Sequence, residues 1–95
     1  MDGQRWRLEG RAQLHWRSLD DEWVVFDACS GDTHRLDTLS AAALTCLEAG
    51  PHDLDHLTAV LASELDLPDR EGLASRLERL LEQLRNLGLV EPAIP

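Results

Sequence analysis

Three short segments in the first half of the chain carry the alternating apolar and polar pattern of β-strands. The first covers residues 12–19, and the second covers residues 22–27, whose Trp-Val-Val-Phe run is apolar on both faces and typical of a central strand. The third, at residues 33–36, follows a Ser-Gly-Asp turn in which glycine can adopt positive φ. In a meander of three strands only the second has two neighbours, so the pattern predicts that residues 33–36 lie at an edge.

Three helices are predicted after the strands, each opening at a residue that can cap its free amides. The first has Asp37 or Thr38 as its cap and stops before Gly50-Pro51, the second opens at Asp53, and the third runs from Pro68-Asp69 to Leu87. Gly88 then suits the left-handed position that commonly follows a helix. The remaining apolar pair, Leu89-Val90, is expected to return to the core.

The order of these elements predicts the fold class. It is α+β and winged-helix-like, with a three-stranded antiparallel sheet followed by three helices. Residues 1–11 are polar and are interpreted as a flexible arm or a weak first strand, which leaves residues 12–92 as the packed domain.

The third helix has the most regular apolar pattern. Its leucines repeat at intervals of three and four residues, the core-facing stripe of an amphipathic helix: Leu73, Leu77, Leu80, Leu84 and Leu87. Leu81 widens this stripe on one side, next to Arg70, Ala74 and Arg85. Two interpretations stay open, a broad core face or a flank that lines a groove beside the edge strand. The groove interpretation predicts that the core needs Leu81 less than it needs Leu77.

Length and charge limit the classes of function. Ninety-five residues suit one domain with a modest core. Eighteen acidic residues outweigh nine basic ones, for a net charge of −9. Because phosphate repels such a chain, we expect no nucleic-acid partner, although a winged-helix arrangement would allow one. The acidic middle of the chain could attract a cationic partner, but a solvated, solubilising surface is the simpler interpretation.

Cysteines, histidines and tryptophans give no clear pattern of a site. Cys29 and Cys46 are far apart in sequence and read as small buried hydrophobes rather than a disulfide or a metal pair. His52 and His56 have helical spacing, yet His52 precedes the predicted cap, so a pair of surface histidines is a simpler interpretation than a metal site.

His34 shares a strand face with Leu36 and is either a hydrogen-bonded structural histidine or part of a peptide groove. The three tryptophans are expected to pack on the sheet rather than to stack on bases.

Catalytic motifs are missing from the sequence. There is no phosphate-binding glycine loop, no Gly-x-Ser-x-Gly and no His-Glu-x-x-His, so we expect a binding protein without catalytic residues, cofactor or metal. No apolar run approaches the roughly 20 residues of a membrane span, and the N-terminus lacks the apolar segment of a signal peptide. We therefore expect a cytoplasmic protein without a membrane partner.

Several short motifs, taken in order, resemble a known family. They are Leu-His-Trp-Arg at 14–17, Glu-Trp-Val-Val at 22–25, Ser-Gly-Asp-Thr-His-Arg-Leu-Asp at 30–37 and Ala-Ala-Ala-Leu at 41–44. The segment Leu-Arg-Asn-Leu-Gly-Leu-Val-Glu-Pro at 84–92 fits the closing part of the same family. The chain thus resembles PqqD-related proteins, and more narrowly the PqqD-family peptide chaperones of the HPr-rel-A system. The likeness covers about residues 12–92, and its specificity lies in the order and spacing of the motifs.

This resemblance implies a RiPP recognition element, a domain that binds the leader of a ribosomally synthesised precursor peptide. In such domains the leader adds as a strand to the third β-strand and lies against the third helix, which are the edge strand and the broadened helix found above. Carried over by position, the peptide-binding residues are Thr33, His34, Arg35, Leu36, Arg70, Ala74, Leu77, Leu81 and Arg85. The implied partners are the precursor peptide and a separate modifying enzyme, for which an HPr-kinase-related protein is one candidate. The alternative is a winged-helix regulatory or interaction module that dimerises through its sheet edge.

Overall fold

The computed structural model describes residues 5–20 and 22–93 of the chain. The strands are β1 (Arg5–Leu8), β2 (Leu14–Leu19), β3 (Glu22–Asp27), β4 (Asp32–Leu36), β5 (His52–Asp53) and β6 (Val90–Ala93). The helices are α1 (Thr38–Glu48), α2 (Leu54–Glu64) and α3 (Arg70–Asn86). The α+β class is confirmed, with three antiparallel strands followed by three helices, and the structure adds a second small sheet.

The main sheet is the predicted antiparallel meander in the order β2-β3-β4. Its register is continuous across all three strands, because Trp16 lies opposite Val25 and Val25 lies opposite His34. The turn between β3 and β4 contains Gly31 at φ 81°, the left-handed conformation that glycine adopts without strain. Both the central place of β3 and the edge position of β4 are therefore confirmed.

The two faces of this sheet differ in burial. Trp16 and Val25 share the inner face, where Val25 is completely buried under the helices. Phe26 lies on the outer face beside His15 and remains 40% exposed. The run that the sequence presents as apolar on both faces is thus covered on one face only, since all three helices follow the sheet and none crosses its outer side within the described residues.

A second sheet joins the two ends of the described chain. β1 lies in its centre and pairs antiparallel with both β5 and β6, in the order β5-β1-β6. Trp6 of β1 is buried in the core, and Arg7 forms an ion pair with Glu91 of β6 at 2.8 Å. Residues 5–8, an arm or weak strand in the sequence interpretation, are therefore a strand of the packed unit, which begins before residue 12. Residues 1–4 lie outside the described part.

Aspartate caps open all three helices, as the sequence predicts. The carboxylates of Asp37, Asp53 and Asp69 each accept a hydrogen bond from the backbone N–H three residues further on. Such bonds satisfy amides that have no partner within the helix. At the other end of α3, Gly88 has φ 80°, the left-handed position expected after a helix.

Asp27, at the end of β3, is a buried carboxylate that joins two loops. Its Oδ1 accepts hydrogen bonds from the backbone N–H groups of Gln13 at 3.1 Å and Cys29 at 3.0 Å. The bond from Gln13 is the main reason that the pKa of Asp27 lies below its ordinary value of 3.8, and it outweighs the opposing effect of burial. The ionised form therefore stabilises the fold.

The Asp27→Ala variant is expected to lose about 1–2 kcal/mol of stability at neutral pH, because two partly buried N–H groups lose their acceptor. In the wild type, the contribution of the charge is complete above the ordinary pKa of 3.8 and is lost as the pH falls through the lowered folded pKa. Urea unfolding of both proteins between pH 7 and about 3 measures this dependence. A constant stability difference across this range would contradict the role given to the charge.

Candidate functional site

The outer side of β4 is an open strand edge within the described residues. The carbonyl of Asp27 accepts a hydrogen bond from the N–H of Gly31, in the turn that leads to β4, so the backbone N–H and C=O groups of Asp27 lie on the β4 side of β3. These groups change sides from one residue of a strand to the next, so those of Val25 also face β4, where Val25 pairs with His34. It follows that Thr33 and Arg35 direct their N–H and C=O groups to the open edge. They are the groups that an added strand would use.

At the end of β4, the chain turns into α1 and faces α3 across a small cleft. This α1–α3 cleft has a volume of about 210 Å³. Its walls are Asp37, Leu39 and Ser40 at the start of α1, and Arg76, Arg79, Leu80 and Gln83 on α3. It meets a neighbouring depression of about 430 Å³, with which it shares Asp37, Leu39 and Arg76. An extended peptide on β4 would leave the strand edge beside this cleft.

The cleft is basic, in contrast to the acidic chain as a whole. Arg76 and Arg79 are both exposed, and neither forms an ion pair within the described residues. The one acidic group in the walls, Asp37, already accepts the capping hydrogen bond from Ser40 at 2.8 Å. The two guanidinium groups therefore remain available for an external carboxylate, which arginine binds well through its paired N–H groups.

The helix residues predicted for the site do not line this cleft. Leu77 and Leu81 are completely buried in the core, so their side chains are not available to a peptide in this structure. Ala74 is half-buried, while Arg70 and Arg85 are exposed, with Arg85 next to Glu82 at 3.9 Å. At Leu81 the structure thus agrees with the interpretation of a broad core face, and the assignment of these five helix residues to peptide binding stays a prediction.

The opposite flank of α3 faces α1, and the sequence interpretation missed it. Leu80, assigned to the core stripe, is buried but also forms part of the cleft wall. The available signal was electrostatic rather than apolar, because Arg76 and Arg79 are two basic residues one turn apart in a strongly acidic chain. The width of a hydrophobic stripe does not show which side of it faces a given neighbour.

The four predicted strand residues occupy different environments. Thr33 and Arg35 are exposed on the outer face, and Arg35 lies 3.8 Å from Glu22. Leu36 is buried in the core, and its side chain is not available to a ligand. His34 is half-buried, and its Nε2 atom is buried without a hydrogen-bond partner among the described residues. Within the described residues the structure thus gives Nε2 of His34 no protein partner, and both interpretations of this histidine stay predictions.

The other candidate residues form no site together. His52 and His56 stack with ring centroids 4.5 Å apart, and no group of three His, Cys, Asp or Glu side chains in residues 5–20 and 22–93 could hold a metal ion. Both cysteines are free thiols, but Cys29 is exposed and Cys46 half-buried, so the expectation that both are buried is wrong. No helix in the part of the chain that the structure describes is long and apolar enough to cross a lipid bilayer.

Comparison with known proteins gives a family and a fold. The chain is similar to the structure described as TbiB1 in complex with the TbiA(beta) leader peptide, with 21% identity and a TM-score of 0.70 over 94% of this chain and 99% of that one. It is also similar to lasso peptide synthetase B1 complexed with the leader peptide, with 23% identity and a TM-score of 0.67 over 92% and 98% of the two chains. At these identities the likeness shows a shared fold. No curated protein sequence matches the chain.

The family result rests on sequence and spans most of the molecule. Residues 22–90, from the start of β3 to the start of β6, match the family described as coenzyme PQQ synthesis protein D (PqqD). This segment holds β4, the start of α1 and α3, the elements that surround the open edge and the α1–α3 cleft. The chain therefore belongs to the PqqD family, as its sequence motifs predict.

Proposed function

We propose that this protein is a peptide chaperone that binds the leader of a ribosomally synthesised precursor peptide. The observation that carries the proposal is the open edge of β4 next to the basic α1–α3 cleft, in a chain of the PqqD family. Two proteins of the same fold are known as complexes with leader peptides. The leader adds to the sheet as a fourth strand beside β4.

Two kinds of contact hold the peptide in this proposal. The backbone groups of Thr33 and Arg35 form ladder hydrogen bonds with the leader, which give affinity with little dependence on sequence. Selectivity comes from side chains of the leader that enter the α1–α3 cleft, where Leu80 offers apolar surface and Arg76 and Arg79 offer charge. A leader that fits this site carries an acidic side chain near an apolar one.

The chemistry on the precursor belongs to a second protein. This chain binds and presents the leader, while a separate enzyme modifies the precursor, with an HPr-kinase-related protein as one candidate. A non-enzymatic role is supported by the chemistry of the cleft, whose one carboxylate, Asp37, is engaged by the backbone N–H of Ser40 in capping α1.

Calorimetric titration with a synthetic leader from a precursor encoded near this gene tests the proposal. The Arg76→Ala/Arg79→Ala double variant is expected to bind such a leader about tenfold more weakly, because one or two charge-assisted hydrogen bonds are lost. Arg17→Ala is the matched control, since Arg17 is an exposed arginine on β2, outside the cleft and outside the predicted peptide-binding residues. Equal affinities for the double variant and the control would contradict the role of the cleft.

Self-pairing through β4 is the second candidate function, because the same open edge could pair with β4 of another copy. In that case the protein would be a regulatory or interaction module that dimerises through its sheet edge, which is the alternative function inferred from the sequence. Sedimentation without peptide separates the two functions. A leader chaperone stays monomeric at micromolar concentration, whereas an edge-paired module dimerises and loses the dimer when β4 is altered.

A further inference from the structure

A second and larger cleft lies on the opposite side of α1 from α3. Its volume is about 610 Å³, and its walls come from β2 and β3 on one side and from α1 and α2 on the other. We name it the tryptophan cleft, after Trp16 and Trp23, which line it together with Cys46, Glu48, Val60 and Glu64. It shares no residue with the α1–α3 cleft, so one ligand can occupy each of them at the same time.

The two tryptophans present aromatic surface to this cleft in a fixed arrangement. Their rings meet edge to face, with centroids 6.3 Å apart and an angle of 85° between the planes. The indole Nε1 of Trp16 donates a hydrogen bond to Oε2 of Glu48 at 3.1 Å, which holds its ring in place. Trp23 is 38% exposed, a large fraction for the inner face of a sheet. Trp23 therefore presents exposed ring surface to the cleft, while Trp16 is half-buried beside it.

Two carboxylates give the cleft a negative charge. Glu48 and Glu64 both line it, and neither forms an ion pair within the described part of the chain. The charge of Glu64 acts inside the cleft, since the pKa of the Cys46 thiol is raised by burial first and by Glu64 second. Negative charge beside the exposed indole of Trp23 is an environment that binds a cation, because the face of an aromatic ring attracts positive charge.

We propose that the tryptophan cleft receives an arginine side chain from a partner protein. A guanidinium group is planar, so it can stack on an indole ring while its N–H groups face a carboxylate. The aliphatic stem of the arginine would pack on the apolar wall that Val60 and the small residues of α1 provide. Charge complementarity favours this occupant over an acidic or purely apolar segment. The surface goes beyond leader binding and is independent of the β4 edge.

Nuclear magnetic resonance of the ¹⁵N-labelled protein tests this proposal with two short peptides. The probe is acetyl-Leu-Arg-Leu-amide, and its control replaces arginine with citrulline, which has nearly the same shape but no charge. The arginine peptide is expected to shift the indole N–H signals of Trp16 and Trp23 but not that of Trp6, which is buried in the core outside the cleft. It is expected to bind about five- to tenfold more tightly than the citrulline peptide, the size of a partly desolvated cation–π contact.

A pair of variants tests whether the preference for the arginine peptide arises in this cleft. Glu64→Gln removes the charge with little change of volume and is expected to reduce the preference for arginine at least about twofold. Glu78→Gln is the matched control, because Glu78 is exposed on α3 and lies outside both clefts. An unchanged preference in Glu64→Gln, or the same loss in both variants, would overturn the assignment.

Two further outcomes would also overturn the proposal. Equal binding of the arginine and citrulline peptides would show that the cleft accepts apolar groups without regard to charge. Tryptophan shifts that follow protein concentration alone, without peptide, would identify a second copy of this chain as the occupant. The readout differs from that of leader binding, which is expected to shift the amides of Thr33 and Arg35. Failure of one proposal therefore leaves the other testable.

Discussion

The Leu81→Ala variant is expected to lose about 2–5 kcal/mol of folding free energy, the same range as Leu77→Ala. Both leucines are completely buried, and truncation of either removes apolar contacts and leaves a cavity that the packed helices cannot fully close. For a domain of this size the loss corresponds to a fall in melting temperature on the order of 10 °C or more. Thermal melts and urea unfolding of the two variants measure it.

An equal loss of folding free energy in these two variants would show that the core needs Leu81 as much as it needs Leu77. If α3 used Leu81 to line a peptide groove, Leu81→Ala would weaken leader binding while leaving the melting temperature close to that of the wild type. Arg85→Ala provides the baseline, since an exposed arginine on the same helix should change stability by no more than about 0.5 kcal/mol. A melting temperature of Leu81→Ala near this baseline would contradict its placement in the core.

The Arg35→Pro variant is expected to fold and to bind the leader at least about tenfold more weakly than the wild type. Proline removes the backbone N–H of residue 35, which points to the open edge, and it leaves the bonds between β3 and β4 intact. Edge strands tolerate proline when the lost N–H faces away from the sheet. Circular dichroism establishes that the variant is folded, and calorimetry with the leader peptide measures its affinity.

Two companion variants separate the contribution of the backbone N–H to leader binding from that of the side chain. Arg35→Ala removes the same guanidinium but keeps the N–H, so it should retain most of the affinity. His34→Pro removes an N–H that points toward β3, so it should damage the sheet itself. Strand addition at β4 would be wrong if folded Arg35→Pro bound the leader as tightly as Arg35→Ala.

The local features of the fold were predictable from the sequence because their causes are local. The aspartates that begin the helices act on amides three residues away, and glycine at position 31 supplies the left-handed residue of a turn. The order β2-β3-β4 follows from short connections between neighbouring strands. These signals lie within a few residues of the structure that they determine.

The second sheet and the cleft were not predictable in the same way. β1 has only four residues, and its partner β6 lies at the other end of the described chain, so no local pattern shows the pairing. The face of α3 that meets α1 depends on how the helix is rotated in the packed structure. Leu80 and Leu81 are neighbours in sequence, yet only Leu80 reaches the cleft. Periodicity identifies a stripe of core residues but not the neighbour on each side of it.

The pairing of β1 with β6 has a consequence for the order of folding. Leu8 meets Val90 only after nearly the whole chain has been brought into a loop, and closing a long loop costs conformational entropy before any contact is gained. The hairpins that form β2, β3 and β4 close within a few residues and do not depend on that event. The open edge of β4 can therefore form early, and the sheet that contains Trp6 is expected to form later and to complete the core.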